Sequence, residues 1–281
     1  MTRWPTTSST RPPGTPDRDD YRGHRLTGTS TVQSMTDSCD LADEWTTRVE
    51  LAAVFRLAAR FGWHESVANH FSAAVSDDGS RFLMNPRWRH FSLIRASELL
   101  ALDVDDANVM DRPDAPDVSA WNIHGAIHAA APHARVLLHL HPPFATTIAT
   151  LQDPTVLPID QNTARFFGDV AYDLAFGGIA DDPAEGRRLA GVLGDRSVLM
   201  MGNHGVTTTG RTVAEAFESM YYLERACQTL VQAYSCGRPL AVLSDDMASK
   251  VARSWKQFTT GQAHLDQLME ILDAEDPSYR E

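Results

Sequence analysis

The chain has 281 residues, 43% of them hydrophobic, and a formal net charge of −12. That length allows a full core, and the acidic balance, without a Lys/Arg cluster, argues against nucleic acid or an anionic membrane as partner. No apolar run approaches the roughly 20 residues that a bilayer span needs, and the scattered Cys39, Cys227 and Cys236 suit a reducing, cytoplasmic setting.

Residues 1–40 are rich in Thr, Ser, Pro, Arg and Asp and carry almost no apolar periodicity. Such a segment buries too little surface to offset its ordering entropy, and it reads as a disordered tail. It has no signal-peptide apolar core, and Met35 opens a more ordinary sequence, so the first 34 residues fit a misassigned start. From Asp43 to Phe61 the pattern turns helical: Leu51, Val54, Phe55, Ala58 and Phe61 form one apolar stripe, and Gly62 is a plausible stop. Short β-type segments follow around 67–75 and 81–84, the second broken by Asn85-Pro86. Residues 96–102 suggest a brief helix leading into a strand near 102–104.

Ser119 can cap a helix over 120–130 with Ile123, Ala126, Ile127 and Ala130 on its buried side, and Pro132 ends it. Residues 135–141 read as a strand, with a helix after Pro142-Pro143, and another strand falls at 197–201. Thr212 and Glu215 make a capping box for a long helix carrying Val213, Ala216, Phe217, Met220, Leu223, Cys227 and Leu230 at helical spacing. Residues 244–272 continue as one or two helices. With no repeat and no polar linker, residues 41–281 read as one α/β domain.

Two stretches carry chemistry. In Leu-Leu-His-Leu-His-Pro, strand alternation points His139 and His141 to one side and Leu138 and Leu140 to the other. In Gly-Asn-His-Gly, His204 follows a buried strand between small residues that permit a sharp turn. Together they offer three imidazoles to one cation and leave a coordination position open, as catalytic sites do. Imidazole suits Zn, Fe, Ni and Cu alike, and a His-x-His strand also arises from two surface histidines. His124 and His128 share one helix face. His133 reads as a solvated loop residue. His64, His70 and His90 lie near turns without a nameable partner, and the default for them is structural or surface.

His124, the run Pro132–Pro142 and Gly202-Asn-His-Gly-Val-Thr-Thr-Thr-Gly210 resemble the class II aldolase/adducin family over about residues 45–240. The resemblance implies a three-layer α/β/α sandwich around a largely antiparallel sheet. It also implies homotetramers with interfacial active sites, and one divalent metal per subunit held by His139, His141 and His204, Zn²⁺ first and Fe²⁺ as the alternative. Two departures stand out. Where the aldolases carry a Glu and the epimerases an Asp, four residues before His124, this chain has Ala120; His124, Glu65 or a metal-bound hydroxide would have to replace that group. The family's serine-rich phosphate turns are also lacking. Asn69 and Ser72 remain as candidate substrate-binding residues, joined by Arg87 and Arg89 around Trp88, where an arginine fork suits a carboxylate; a surface turn paired to nearby acids is the plain alternative.

Three functions follow from these residues. The first is a metal-dependent lyase, of aldolase or decarboxylase type, acting on a small non-phosphorylated hydroxy- or keto-acid. The second is a non-haem iron oxygenase that decarboxylates an aromatic keto-acid. The third is a non-catalytic adducin-like interaction module, against which the retention of all three histidines counts.

Overall fold

The computed structural model describes residues 44–178, 180–258 and 260–281. The tail expected over residues 1–40 lies outside them. The described residues belong to one compact unit. Helix α1 spans Glu44–Phe61 and buries Leu51, Val54, Phe55 and Ala58. Gly62 ends it at φ 68°, a left-handed conformation that glycine adopts without a Cβ clash. Strands β1 (His70–Ala74), β2 (Arg81–Met84) and β3 (Leu100–Asp103) follow, then α2 (Val118–Ala130), β4 (Val136–Leu140), α3 (Pro143–Ala149) and α4 (Gln161–Ala164). The chain continues through β5 (Val170–Asp173), α5 (Pro183–Leu193), β6 (Val198–Met201), β7 (Gly205–Gly210), α6 (Val213–Ser235), α7 (Asp245–Gln257) and α8 (Gly261–Glu275).

Among the described residues the strands form one seven-stranded sheet in the order β3-β2-β1-β4-β7-β6-β5. Only β5 and β6 pair in parallel; the other neighbours are antiparallel. Helices cover both faces, giving the three-layer sandwich implied by the family resemblance. Strand β4 shows how the layers are built. Val136, Leu138 and Leu140 enter the core under α1 and α6, while Leu137 enters the core under α2 and α5. His139 shares the parity of Leu137, so it faces the α2 side. Near β1, Phe55 stacks on Phe71 at 4.3 Å and meets Phe91 edge-on at 4.6 Å; each such pair contributes about 1 kcal/mol beyond burial. No helix among the described residues is long and apolar enough to cross a membrane.

Several local expectations need correction. Residues 96–98 form a single 3-10 turn rather than a helix, and β3 starts at Leu100. The cap of α2 is Asp117, not Ser119: its carboxylate accepts from the backbone N–H groups of Ser119 and Ala120. The helix starts two residues earlier than expected, at Val118, so Ser119 lies inside the first turn and its hydroxyl donates to Asp117 instead of capping. Strand β4 ends at Leu140, leaving His141 as the first residue beyond it. Strand β5, helix α5 and strand β7 have no counterpart in the sequence reading. In β7 the threonines 207–209 are buried, a placement that their polarity conceals.

Candidate metal centre

His139, His141 and His204 offer ligand atoms that all lie within 4.8 Å of one another. Each is brought there by a different local device. His139 is fixed by register, opposite His70 on β1 and Thr207 on β7. The Thr207 hydroxyl lies 3.3 Å from its Nδ1, the kind of outer partner that orients a ligating ring. His141 is set by the start of α3, whose proline cap has no side-chain acceptor. Glu224 of α6 supplies one instead, accepting from the N–H groups of Phe144 at 2.9 Å and Ala145 at 2.8 Å. His204 sits on the turn joining β6 to β7. There Asn203 is left-handed at φ 57° and its N–H is held by the Ala149 carbonyl at 3.0 Å.

The next residue, Gly205, is required by the ligands themselves. A Cβ there would stand 2.6 Å from the Leu140 carbonyl oxygen and 3.1 Å from His141 Nε2, and nearer still to His141 Cδ2. No real side chain fits that gap.

The residues fit a metal. Burial lowers the pKa of all three rings, His204 to about 4, so they are neutral at physiological pH, as ligands must be. His141 Nε2 is buried with no hydrogen-bond partner among the described residues, an arrangement that is costly unless something binds it. Two cavities meet at the triad. One, about 290 Å³, is lined by Asn69, His70, Asn85, Arg87, Trp88, Asp117, Ser119 and Ala120 together with the three histidines. The other, about 260 Å³, runs past Phe176, Gly178 and Asn203. A larger space of about 540 Å³ lies at Arg165, Glu218 and Trp255, away from the triad. There Arg165 is already paired with Glu218 at 2.9 Å and covered by Tyr222 and Trp255.

The predicted site residues divide. Asn69 lines the triad cavity. It is left-handed at φ 69°, with Oδ1 accepting from Glu65 N–H at 2.8 Å and its carbonyl accepting from the Asn85 side chain at 3.4 Å. Arg87 lines the same cavity beside Trp88, which is 68% exposed. Arg89 does not reach it; its guanidinium pairs with Glu98 at 2.8 Å and donates to the Leu93 carbonyl at 3.1 Å. That is the surface-turn role. Glu65 is exposed and lines neither cavity, because the turn before β1 carries its side chain outward.

Ser72 is fully buried, and its hydroxyl lies between His124 Nδ1 at 2.6 Å and His128 Nε2 at 2.7 Å, so it cannot bind substrate. His124 is likewise 0% exposed and behind the cavity wall; its Nε2 meets His70 Nδ1 at 2.7 Å. His70, one of the three histidines left without a partner in the sequence, borders both cavities, stacked 4.7 Å from His139. His64 and His90 pair with each other at 3.1 Å.

Asp117 is the other residue the sequence reading missed. Its only signal was an Asp three residues before Ala120, a good helix former. Burial raises its carboxyl pKa, but hydrogen bonds from the Ser119 hydroxyl and from the Ser119 and Ala120 N–H groups outweigh that and hold it below the usual range. Ala120 itself is 1% exposed at the cavity wall, with no group to move a proton.

The domain model described as "Class II Aldolase and Adducin N-terminal domain" matches residues 49–231. A Caulobacter vibrioides protein assigned by name only to aldolase class 2 is 34% identical over 84% of this chain and 92% of its own. The adducin-related protein of Schizosaccharomyces pombe is 32% identical over 85% of this chain and 77% of its own. The crystal structure of an aldolase II superfamily protein from Pseudomonas syringae superposes with TM-score 0.76 at 34% identity, over 85% of this chain and 96% of that one. L-Fuculose 1-phosphate aldolase from Glaciozyma antarctica shares the fold, with TM-score 0.71 at 21% identity over 85% of this chain and 93% of that one. By sequence and by fold, the chain belongs to the class II aldolase/adducin family.

Proposed function

We propose that this protein is a divalent-metal-dependent lyase that cleaves a C–C bond in a small non-phosphorylated hydroxy- or keto-acid, by retro-aldol reaction or decarboxylation. The observation that supports it is the convergence of His139, His141 and His204 on one cavity with Arg87 at the rim and Ala120 in the wall. A metal held by the three neutral imidazoles, Zn²⁺ first and Fe²⁺ as the alternative, would polarise a substrate carbonyl and accept electron density as the bond breaks.

The chain's own residues divide the remaining work. Arg87 receives the substrate carboxylate, because its guanidinium fork matches two oxygens. Asn69 hydrogen-bonds a second substrate oxygen, its backbone held in place by Asn85. Trp88 covers an apolar part of the substrate. The serine-rich phosphate turns of the sugar-phosphate enzymes are lacking in this chain, which favours a carboxylate over a phosphate as the partner of Arg87. His124 acts from behind the wall, through His70, rather than by touching substrate. In this reading the protein is a cytoplasmic homotetramer whose active sites lie at subunit interfaces. An adducin-like module without activity would have no use for three converging neutral imidazoles and a glycine shaped around one of them.

Elemental analysis of the full chain purified under nitrogen, followed by a mass-based screen of hydroxy- and keto-acids, tests the proposal. One equivalent of zinc and cleavage of a carboxylic acid to two carbon fragments is the expected result. Bound iron with oxygen uptake would move the reading to oxidative decarboxylation. Failure to retain any divalent metal would remove both.

A further inference from the structure

Behind the triad, a run of hydrogen bonds has only one consistent direction. It ends on the Ala134 backbone carbonyl, 3.1 Å from His128 Nδ1. A carbonyl can only accept, so His128 carries its proton on Nδ1. His128 is 3% exposed and burial holds its pKa at about 3, so the ring is neutral and its Nε2 is a lone pair. Ser72 Oγ, 2.7 Å away, must donate to it. A hydroxyl has one proton, so Ser72 accepts from His124 Nδ1 at 2.6 Å. His124 is neutral for the same reason of burial, and its Nε2 accepts from His70 Nδ1 at 2.7 Å. The geometry of the wire therefore fixes a proton on His70 Nδ1, which in the uncharged imidazole leaves Nε2 as a lone pair. Its Nε2 makes no hydrogen bond among the described residues, and the ring lines both cavities at the triad.

We infer that this wire locks His70 as a hydrogen-bond acceptor at the metal centre, so that the site selects substrates presenting a hydroxyl beside the metal-bound oxygens. His70 is then a specificity-determining residue, and Ser72, His124 and His128 are positioning residues that set its tautomer. The wire also excludes the opposite role: a ring whose Nε2 carries no proton cannot donate to a developing oxyanion. Substrate negative charge must be met by Arg87, Asn69 and the metal. The ligand identity rests on the lyase reading above; the tautomer assignment does not. The sheet explains why the parts meet. Register places His70 opposite His139 and Ser72 opposite Leu137 on one face, and α2 lays His124 and His128 across that face at helical spacing.

His128 sets the polarity, so it is the residue to change. With His128→Gln, the amide carbonyl accepts from Ser72 while the NH₂ donates to Ala134, and the direction is kept. With His128→Leu, Ser72 loses its acceptor and turns to His124 Nδ1. His124 then donates from Nε2, and His70 is left with its proton on Nε2. Neutron diffraction from the full, metal-loaded chain at neutral pH is expected to show deuterons on Nδ1 of His70, His124 and His128 and none on His70 Nε2. A deuteron on His70 Nε2 in the wild type overturns the inference, whether or not the variants fold. The functional arm compares glycolate with fluoroacetate, which cannot donate, by calorimetric titration. The affinity ratio is expected to hold in His128→Gln and to fall about fivefold in His128→Leu, the worth of one neutral hydrogen bond. An unchanged ratio in His128→Leu overturns the role in recognition. Absence of bound metal sinks the lyase proposal and leaves the tautomer map to be judged by itself.

Discussion

Replacing Gly205 by alanine tests the claim that the backbone around the triad is shaped by its ligands. The added methyl would stand 2.6 Å from the Leu140 carbonyl and 3.1 Å from His141 Nε2. The first contact is with backbone, and Leu140 pairs with Val206 in the β4–β7 ladder, so it cannot yield without disturbing the sheet. The second is with the ligand, which must rotate or withdraw. Overpacking of this kind costs about 1–3 kcal/mol. At about 2–4 °C per kcal/mol for a domain of this size, the metal-free protein should melt roughly 2–12 °C lower. Displacing a ligating ring should also weaken metal binding about 10–100-fold, as losses around a metal ligand do. Thermal melts of metal-free protein and competition with a zinc chelator measure the two effects separately. Gly191 serves as the control: it lies in α5 with nothing within 4 Å of an added Cβ. Alanine there should stabilise by up to about 1 kcal/mol. Unchanged melting and unchanged zinc affinity in Gly205→Ala would refute the assigned packing at the triad.

Three further predictions follow from the buried polar groups. Burial lowers the pKa of His124 and His128, the latter to about 3, while unfolded rings titrate near 6.5. The folded protein therefore binds fewer protons, and its stability is full above about pH 6.5 and lost as pH falls toward 3. At pH 5 His128 should cost about 2 kcal/mol, with His124 adding in the same direction, which denaturant titrations at pH 7.5 and pH 5 would detect; equal stability at the two values would contradict the burial assignment. His139→Ala should abolish stoichiometric zinc binding and activity while sparing the fold, read by elemental analysis and circular dichroism; full metal occupancy in this variant would remove His139 from the ligand set. Asp117→Ala should remove the α2 cap and cost about 1 kcal/mol in denaturant midpoint; no loss would return the capping role to Ser119.

The sequence alone determined an α/β class of fold, the long helices and three histidines that are candidate metal ligands. Those features are local: the α1 and α6 stripes repeat at helical spacing, and His139 and His141 are two apart on an apolar strand flanked by leucines. The gap at Ala120 was equally legible once the resemblance to the class II aldolases was seen, because a carboxylate missing from the family pattern is visible without coordinates. Tertiary structure decided which polar residues reach the cavity. Arg87 and Arg89 look alike in sequence, yet a left-handed Trp88 between them at φ 65° sends one to the cavity and the other to Glu98. Ser72 reads as a substrate ligand until pairing with β4 turns it inward under α2. His70 reads as a solitary turn histidine until the same register sets it against His139. The physical reason is that strand register and helix docking bring together residues 50 to 70 positions apart, and no local pattern records which of them will share a hydrogen bond.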